Sequence, residues 1–411
     1  MAERQADILI VGGGLAGASC AEALREAGFD GSVLLVGREP SAPYERPPCS
    51  KDLLRGESTA EEALLHPHDW YAENDVELLT RTSVMKLDAD AKIATLSTKE
   101  TVGFDRALLA TGANVRRLRV DGGDLEGIHY LRAPGNSASI RRDAEEAERI
   151  VLVGGSYIAC EVAASLTTMG KRCTLVMQEE APLSTGFGAA AGEYFGTLLG
   201  EHGIECVTAD PLARFEGDGR VERVVTESGR ELDADLVVLG TGAIPDVMLA
   251  RGAGLELGET GGVRCSQTLE TSAPGIWCAG DPCEYESVVH GRRLRVEHFE
   301  VAAAQGRYSA SAMLGETEPY SEVPYFWSDL ADWCTLEYIG PAERWDREVV
   351  RGSFESGEFT IFYLEGGRVV AGLTVGRSDD LEHAKRLLVA KTDLGERADA
   401  LADEDADLAA L

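Results

Sequence analysis

The residues best suited to chemistry lie in two glycine-rich turns. The first is Gly12-Gly13-Gly14-Leu15-Ala16-Gly17, entered from the apolar run Ile8-Leu9-Ile10-Val11 and followed by the small residues Ala18, Ser19, Cys20 and Ala21. In a nucleotide-binding βαβ unit, glycine at the Gly12 position permits the tight turn. Gly14 lets backbone N–H groups reach a pyrophosphate and Gly17 lets the helix close on the strand; Ala16 counts with these glycines among the cofactor-binding residues. The helix N-terminus then supplies partial positive charge to the phosphates. The second turn follows Ile150-Val151-Leu152-Val153 and reads Gly154-Gly155-Ser156-Tyr157-Ile158-Ala159-Cys160-Glu161. Here Ser156 and Ala159 replace two glycines. Two dinucleotide units in one chain imply two bound nucleotides.

Each unit needs a ribose partner at the end of its second strand. For the first, strand Ser32–Gly37 is followed by Arg38 and Glu39; Glu39 is assigned to the ribose and Arg38 to the adenine face. For the second, Met177 ends the strand and Gln178, Glu179 and Glu180 follow. With no cation there to receive a 2′-phosphate, NADH is favoured over NADPH, and Glu179 becomes the ribose partner. Glu161 lies on a helix face that Ile158, Val162 and Ala163 make apolar, so an exposed glutamate fits it poorly.

Between the two units, Tyr44-Glu45-Arg46-Pro47-Pro48-Cys49-Ser50-Lys51 resembles the Tyr-Glu-Arg-Pro-Pro-x-Ser-Lys signature of FAD-dependent ferredoxin reductases of the putidaredoxin and rhodocoxin reductase type, to which apoptosis-inducing factor is related. Cys49 departs from that signature, which usually has leucine there. Further matches are Phe104-Asp105 leading to Ala110-Thr111-Gly112, the echo Gly240-Thr241-Gly242, Thr271 to Asp281 with its Ala-Gly-Asp end, and Phe326-Trp327-Ser328-Asp329. The resemblance implies that Arg46 and Lys51 contact the flavin and that Val84 packs on the adenine. Ala110, Thr111, Gly112 and Arg132 also fall among the FAD contacts. It places Asp281 on the ribityl chain, His298 and Phe299 along the pyrimidine edge, and Trp327 beside the isoalloxazine. Lys51 pairs with Glu161 next to flavin N5, so Lys51, Glu161 and Trp327 are the candidate catalytic residues. Gly154, Gly155, Tyr157, Ile158, Glu179 and Gly242 are assigned to the nicotinamide nucleotide. The implied activity carries electrons from NADH through FAD to a small iron–sulfur protein.

These residues require an α/β chain with two Rossmann-like dinucleotide-binding domains and a C-terminal α+β domain. The expected boundaries are residues 1–115 with 243–320 for FAD, 116–242 for NAD(P)H, and 321–411 for the last domain with its acidic tail. A hairpin is expected over 82–96, a helix capped by Ser50 from about Lys51, and C-terminal strands at 335–339, 348–352, 359–364 and 369–375. A helix over about 380–390 follows, and beyond Asp393 the tail reads as helix or disorder.

Composition bounds the rest. A formal net charge of −32 over 411 residues disfavours nucleic acid and anionic lipid as partners, and it suits a salt-adapted host equally well. No apolar run near the start reads as a signal peptide and none could span a bilayer, so a cytoplasmic protein is expected. Nine scattered cysteines without a Cys-x-x-Cys pair point to no metal site and no disulfide framework. Cys278 and Cys283 have the spacing of a redox dithiol, but on a strand expected to be buried. A ferredoxin partner is itself acidic, and Arg292, Arg293 and Arg295 form the one cationic run near the expected flavin edge that could dock it. Two other readings remain open. One is a flavin-linked thiol, disulfide or peroxide reductase using Cys49 as a thiolate activated by Lys51 and a helix N-terminus. The other is an FAD-binding protein like apoptosis-inducing factor with little reductase activity.

Overall fold

The protein, as a computed structural model, is described over residues 2–411 and divides into two compact units. The first takes the chain up to Glu45, then Ala63–Asn114 and Ile244–Phe326. The second takes Arg46–Glu62, Val115–Ala243 and Trp327–Leu411. The signature stretch from Arg46 thus packs in the second unit, not in the one that carries the first glycine turn.

In the first unit the sheet runs Val76–Leu79, Val33–Val36, Arg4–Val11, Thr101–Leu109, Ile93–Leu96, Val84–Asp88, with Ile276–Cys278 also pairing Thr101–Leu109. The strands around Arg4–Val11 pair in parallel, Ile8 opposite Val33 on one side and Arg106 on the other. Strands sandwiched this way are apolar along their length, and Ile8 to Val11 are all buried. The expected hairpin forms antiparallel pairs of Val84–Asp88 with Ile93–Leu96. Helix Leu15–Glu26 lies against helix Phe299–Met313 closely enough that a Cβ on Gly306 would stand 2.2 Å from the Ala16 carbonyl oxygen.

The second unit holds an all-parallel sheet in the order Glu205–Val207, Arg172–Val176, Arg149–Val153, Leu236–Leu239, Ile128–Tyr130. The C-terminal five-stranded sheet has the order Tyr325–Leu330, Cys334–Ile339, Arg368–Val375, Glu358–Glu365, Arg347–Ser353, covered by helix Ser378–Ala390. The architecture is the expected one of two Rossmann-like sheets and a C-terminal α+β part. The Phe-Trp-Ser-Asp box is itself a strand, which the sequence reading did not assign.

Two local expectations are corrected. Ser50 does not cap a helix: Pro47–Ser50 is a 3₁₀ turn, Lys51 occupies the cap of helix Asp52–Arg55, and the Ser50 hydroxyl is used elsewhere. The acidic tail is neither a long helix nor disordered. It folds into the short turns Gly395–Leu401 and Leu408–Ala410, burying Leu401 and Leu408. The buried Arg351 guanidinium donates to the carbonyls of Asp403, Glu404 and Ala406, which turns an acidic stretch into packed structure. No described helix is long and apolar enough to cross a membrane.

Candidate functional site

The first glycine turn has the geometry its spacing predicts. Gly12 adopts φ +127°, and a Cβ there would stand 2.0 Å from the Ala110 carbonyl oxygen; one on Gly17 would stand 2.1 Å from that of Gly12. Over Gly14 there is open space, and Gly14 caps helix Leu15–Glu26 with no side chain on the exposed N–H groups. Free helix-end donors facing room that only glycine leaves suit a pyrophosphate. Buried polar atoms in the same unit point the same way. His298 Nδ1 and Gln305 Nε2 have no partner among the described residues, although Gln305 Oε1 accepts from Gly280 N at 2.8 Å. The unit therefore fits a flavin dinucleotide.

The other first-unit residues fall around these. Glu39 Oε2 accepts from the Tyr44 hydroxyl at 2.5 Å, which orients the carboxylate. Arg38 donates to Asp246 at 3.0 Å and Asn114 at 2.7 Å, so its edges are committed and a face remains for stacking. Thr111 Oγ1 donates to the Asp246 carbonyl at 2.6 Å, and Gly112 has φ +68°. Val84 opens its strand half-buried, and Asp281 follows Gly280, whose φ is +76°. His298 caps the helix that Phe299 opens, its ring 4.4 Å from that of Phe326. Packing around the ring lowers the His298 pKa to about 4, so it is neutral.

The second unit gathers the candidate catalytic residues. Lys51 Nζ lies 2.9 Å from Glu161 Oε1, both side chains being buried. Ser50 Oγ donates to Glu161 Oε2 at 2.5 Å and Ser328 Oγ to Oε1 at 2.6 Å. The ammonium stands 5.0 Å from the Trp327 ring centre, within reach of its π face. A buried ion pair is tolerable only when its remaining lone pairs are satisfied, and the two serines do that. Ser165 Oγ donates to the Ser50 carbonyl at 2.7 Å and Ser137 Oγ to that of Cys49 at 2.6 Å, fixing the signature turn. Arg46 donates to the Arg132 carbonyl at 2.7 Å. Sequence reasoning missed both serines as partners of Glu161, and no local signal marks either, since each meets the carboxylate across more than a hundred residues of chain. Glu161 is buried as expected, but Ile158 is not part of the covering face, being 40% exposed.

The replaced glycines of the second turn are compensated. Gly154 keeps φ +119°, with a Cβ there 2.3 Å from the Gly240 carbonyl oxygen. The methyl of Ala159 is accommodated from the opposite side by Gly240, where a Cβ would stand 2.8 Å from it. Ser156 Oγ donates to the Gly240 carbonyl at 2.9 Å. Gly242, φ +87°, accepts from Arg116 N at 2.9 Å, and Tyr157 packs 5.7 Å from the Phe187 ring. Gly155 faces Glu179: a Cβ would meet Oε2 at 3.2 Å, and that oxygen is buried without a hydrogen-bond partner among the described residues.

The family model described as pyridine nucleotide-disulphide oxidoreductase matches residues 6–306, and the one described as Reductase C-terminal matches 325–411. The chain belongs to the pyridine nucleotide-disulphide oxidoreductases. FAD and a pyridine nucleotide are the cofactors this family implies. It is 33% identical over 402 residues to rhodocoxin reductase of Rhodococcus erythropolis, covering 98% of this chain and 93% of that one. It is 34% identical over 388 residues to putidaredoxin reductase CamA of Pseudomonas putida, covering 93% and 91%. Among solved structures, the putidaredoxin reductase chain of a covalent complex with putidaredoxin superposes with a TM-score of 0.92 at 33% identity, covering 100% and 98%.

Within this oxidoreductase the arginine run is tied to the backbone. Arg293 Nη1 donates to the carbonyls of Cys265 and Glu284 at 2.9 and 3.2 Å, and Arg295 Nη1 to that of Asp281 at 3.1 Å. Arg295 also pairs with Glu297 at 2.5 Å. Cys49 is buried in its 3₁₀ turn, as a packing residue would be.

Proposed function

We propose that this chain is an NADH-oxidising, FAD-containing reductase that delivers electrons to a small iron–sulfur protein of the ferredoxin type, as a component of an electron-transfer chain such as an oxygenase system. The supporting observation is the buried Lys51–Glu161 pair with both carboxylate oxygens hydrogen-bonded by Ser50 and Ser328. It occurs in a chain that aligns almost end to end with rhodocoxin and putidaredoxin reductases. FAD, when bound, supplies the step from two-electron to one-electron transfer. The chain's own residues supply fixed charge and position. Lys51 holds an ammonium that cannot swing away, because Glu161 fixes it and the serines fix Glu161. Such preorganised charge is worth most in a site closed to water. Glu179 supplies the nicotinamide specificity: its unpartnered oxygen accepts from a ribose 2′-hydroxyl and repels a 2′-phosphate. The domain boundaries we assign are residues 1–115 with 243–320 for FAD, 116–242 for NAD(P)H and 321–411 for the last domain. The ferredoxin is proposed to approach the arginine run. Hydrogen bonds to carbonyls do not neutralise Arg293, while Glu286 at 4.0 Å from it and Glu297 on Arg295 offset part of the run's charge.

Anaerobic stopped-flow mixing with NADH and NADPH tests this. NADH should bleach the flavin faster than NADPH, and Glu179→Arg should reverse the order. Lys51→Met should slow bleaching by about 10²-fold. A yellow protein reduced by neither nucleotide would overturn the proposal.

A further inference from the structure

Three of the nine cysteines meet inside the first unit. Cys265 follows strand Val263–Arg264, Cys278 ends strand Ile276–Cys278, and Cys283 opens strand Cys283–Ser287. Backbone bonds hold each in place: Cys265 N to Glu284 O at 2.8 Å, Cys278 N to Leu269 O at 3.0 Å, and Cys283 N to Gly280 O at 2.9 Å. All three are free thiols and buried, and their Sγ atoms lie within 4.8 Å of one another. A triangle with sides no longer than 4.8 Å has a point within about 2.8 Å (4.8/√3) of every corner, whereas a metal–thiolate bond is about 2.3 Å. Side-chain shifts of about half an ångström therefore close the sulfurs on one ion, with no backbone movement.

We propose that Cys265, Cys278 and Cys283 form a three-sulfur site for a soft, thiophilic ion of the copper(I) class. The donor set selects the ion. Thiolates alone favour soft cations, and structural zinc takes four donors; among the described residues no fourth Cys, His, Asp or Glu joins the cluster. The neighbouring Glu284 carboxylate is already spent on the N–H groups of Glu259 and Thr260 and the Thr260 hydroxyl. The Arg293 guanidinium, on the carbonyls of Cys265 and Glu284, supplies positive charge against the thiolates. Binding exchanges three thiol protons, released to solvent, for three metal–sulfur bonds and oxidises nothing. The apolar surround, with Leu269, Ile276 and Tyr285 buried, keeps water from the ion.

The test is anaerobic titration of the reduced, flavin-loaded protein with copper(I) buffered by a bathocuproine-type chelator, with X-ray absorption on the loaded wild type. One equivalent should bind, with a first shell of three sulfurs and no nitrogen or oxygen. Cys265→Ser and Cys283→Ser should each weaken binding by more than about 100-fold, beyond what losing a supporting residue costs. Cys206→Ser and Cys334→Ser should leave it unchanged. No binding, a shell of two sulfurs, or copper affinity indifferent to Cys265→Ser would overturn the site. The absorption spectrum of the wild type decides the matter even if a cysteine variant fails to fold.

Discussion

At the scale of single residues, Glu161 is the group on which most depends. Its two oxygens carry one ion pair and two hydroxyl donors, all buried. Removing the carboxylate while keeping the ammonium leaves a buried charge without a counterion, which costs about 3–5 kcal/mol. Glu161→Leu should therefore lower stability by that amount in urea unfolding of the flavin-loaded protein. Lys51→Met with Glu161→Leu should recover most of it, though neither protein should be reduced quickly by NADH. If the double variant is no more stable than Glu161→Leu alone, the pair is not the source of the cost. His298 gives a pH signature. Its pKa lies near 4 in the folded protein because burial disfavours the imidazolium, while an unfolded histidine titrates near 6.5. Above 6.5 the group is neutral in both states and contributes nothing. Below it the unfolded chain gains a proton that the folded chain refuses, so stability falls as pH drops from 6.5 towards 4. His298→Asn should flatten that limb by about 2 kcal/mol between pH 7 and 4.5, read as the unfolding midpoint at each pH.

At the scale of elements, the glycine turns, their strands and the hairpin are legible because each signal lies within a few residues of the structure it specifies. The alternation in Tyr325–Leu330 is equally local, but six residues rich in aromatics are too few to mark a strand by period alone. The meeting of Ser50, Glu161 and Ser328 was not legible. Nothing in the spacing of residues separated by more than a hundred positions says that two hydroxyls will aim at one carboxylate. The same holds for Ala159 and Gly240. Read alone, Ala159 is a damaged motif; against Gly240, it is a repacked contact. Gly240→Ala should accordingly behave as overpacking. We expect a loss of about 1–3 kcal/mol and weaker NADH binding, with FAD retained; unchanged NADH affinity would show that the second turn has other slack. The fold of the acidic tail is not legible because composition reports solvation, whereas one buried arginine supplies the partners its carbonyls need.

At the scale of the whole molecule, the net charge of −32 sets the long-range field. On the docking proposed above, an acidic ferredoxin approaches against that field and the arginine run attracts only at short range. Screening shortens the repulsion first, since the Debye length falls from about 30 Å at 0.01 M to about 10 Å at 0.1 M salt. The second-order rate of ferredoxin reduction should therefore rise over that range, while reduction of a neutral dye stays flat. Arg292→Glu should slow the ferredoxin rate and leave the dye rate alone; a ferredoxin rate that only falls with salt would place attraction, not repulsion, in control.

Ser50, Glu161 and Ser328 belong to three stretches of the second unit that are far apart along the chain, the signature loop, the nucleotide-binding helix and the first strand of the C-terminal sheet. A single side chain thus acts as a knot through all of them. Heat should release them in one cooperative step rather than in sequence, because no strand of the knot can come loose while the other two remain tied.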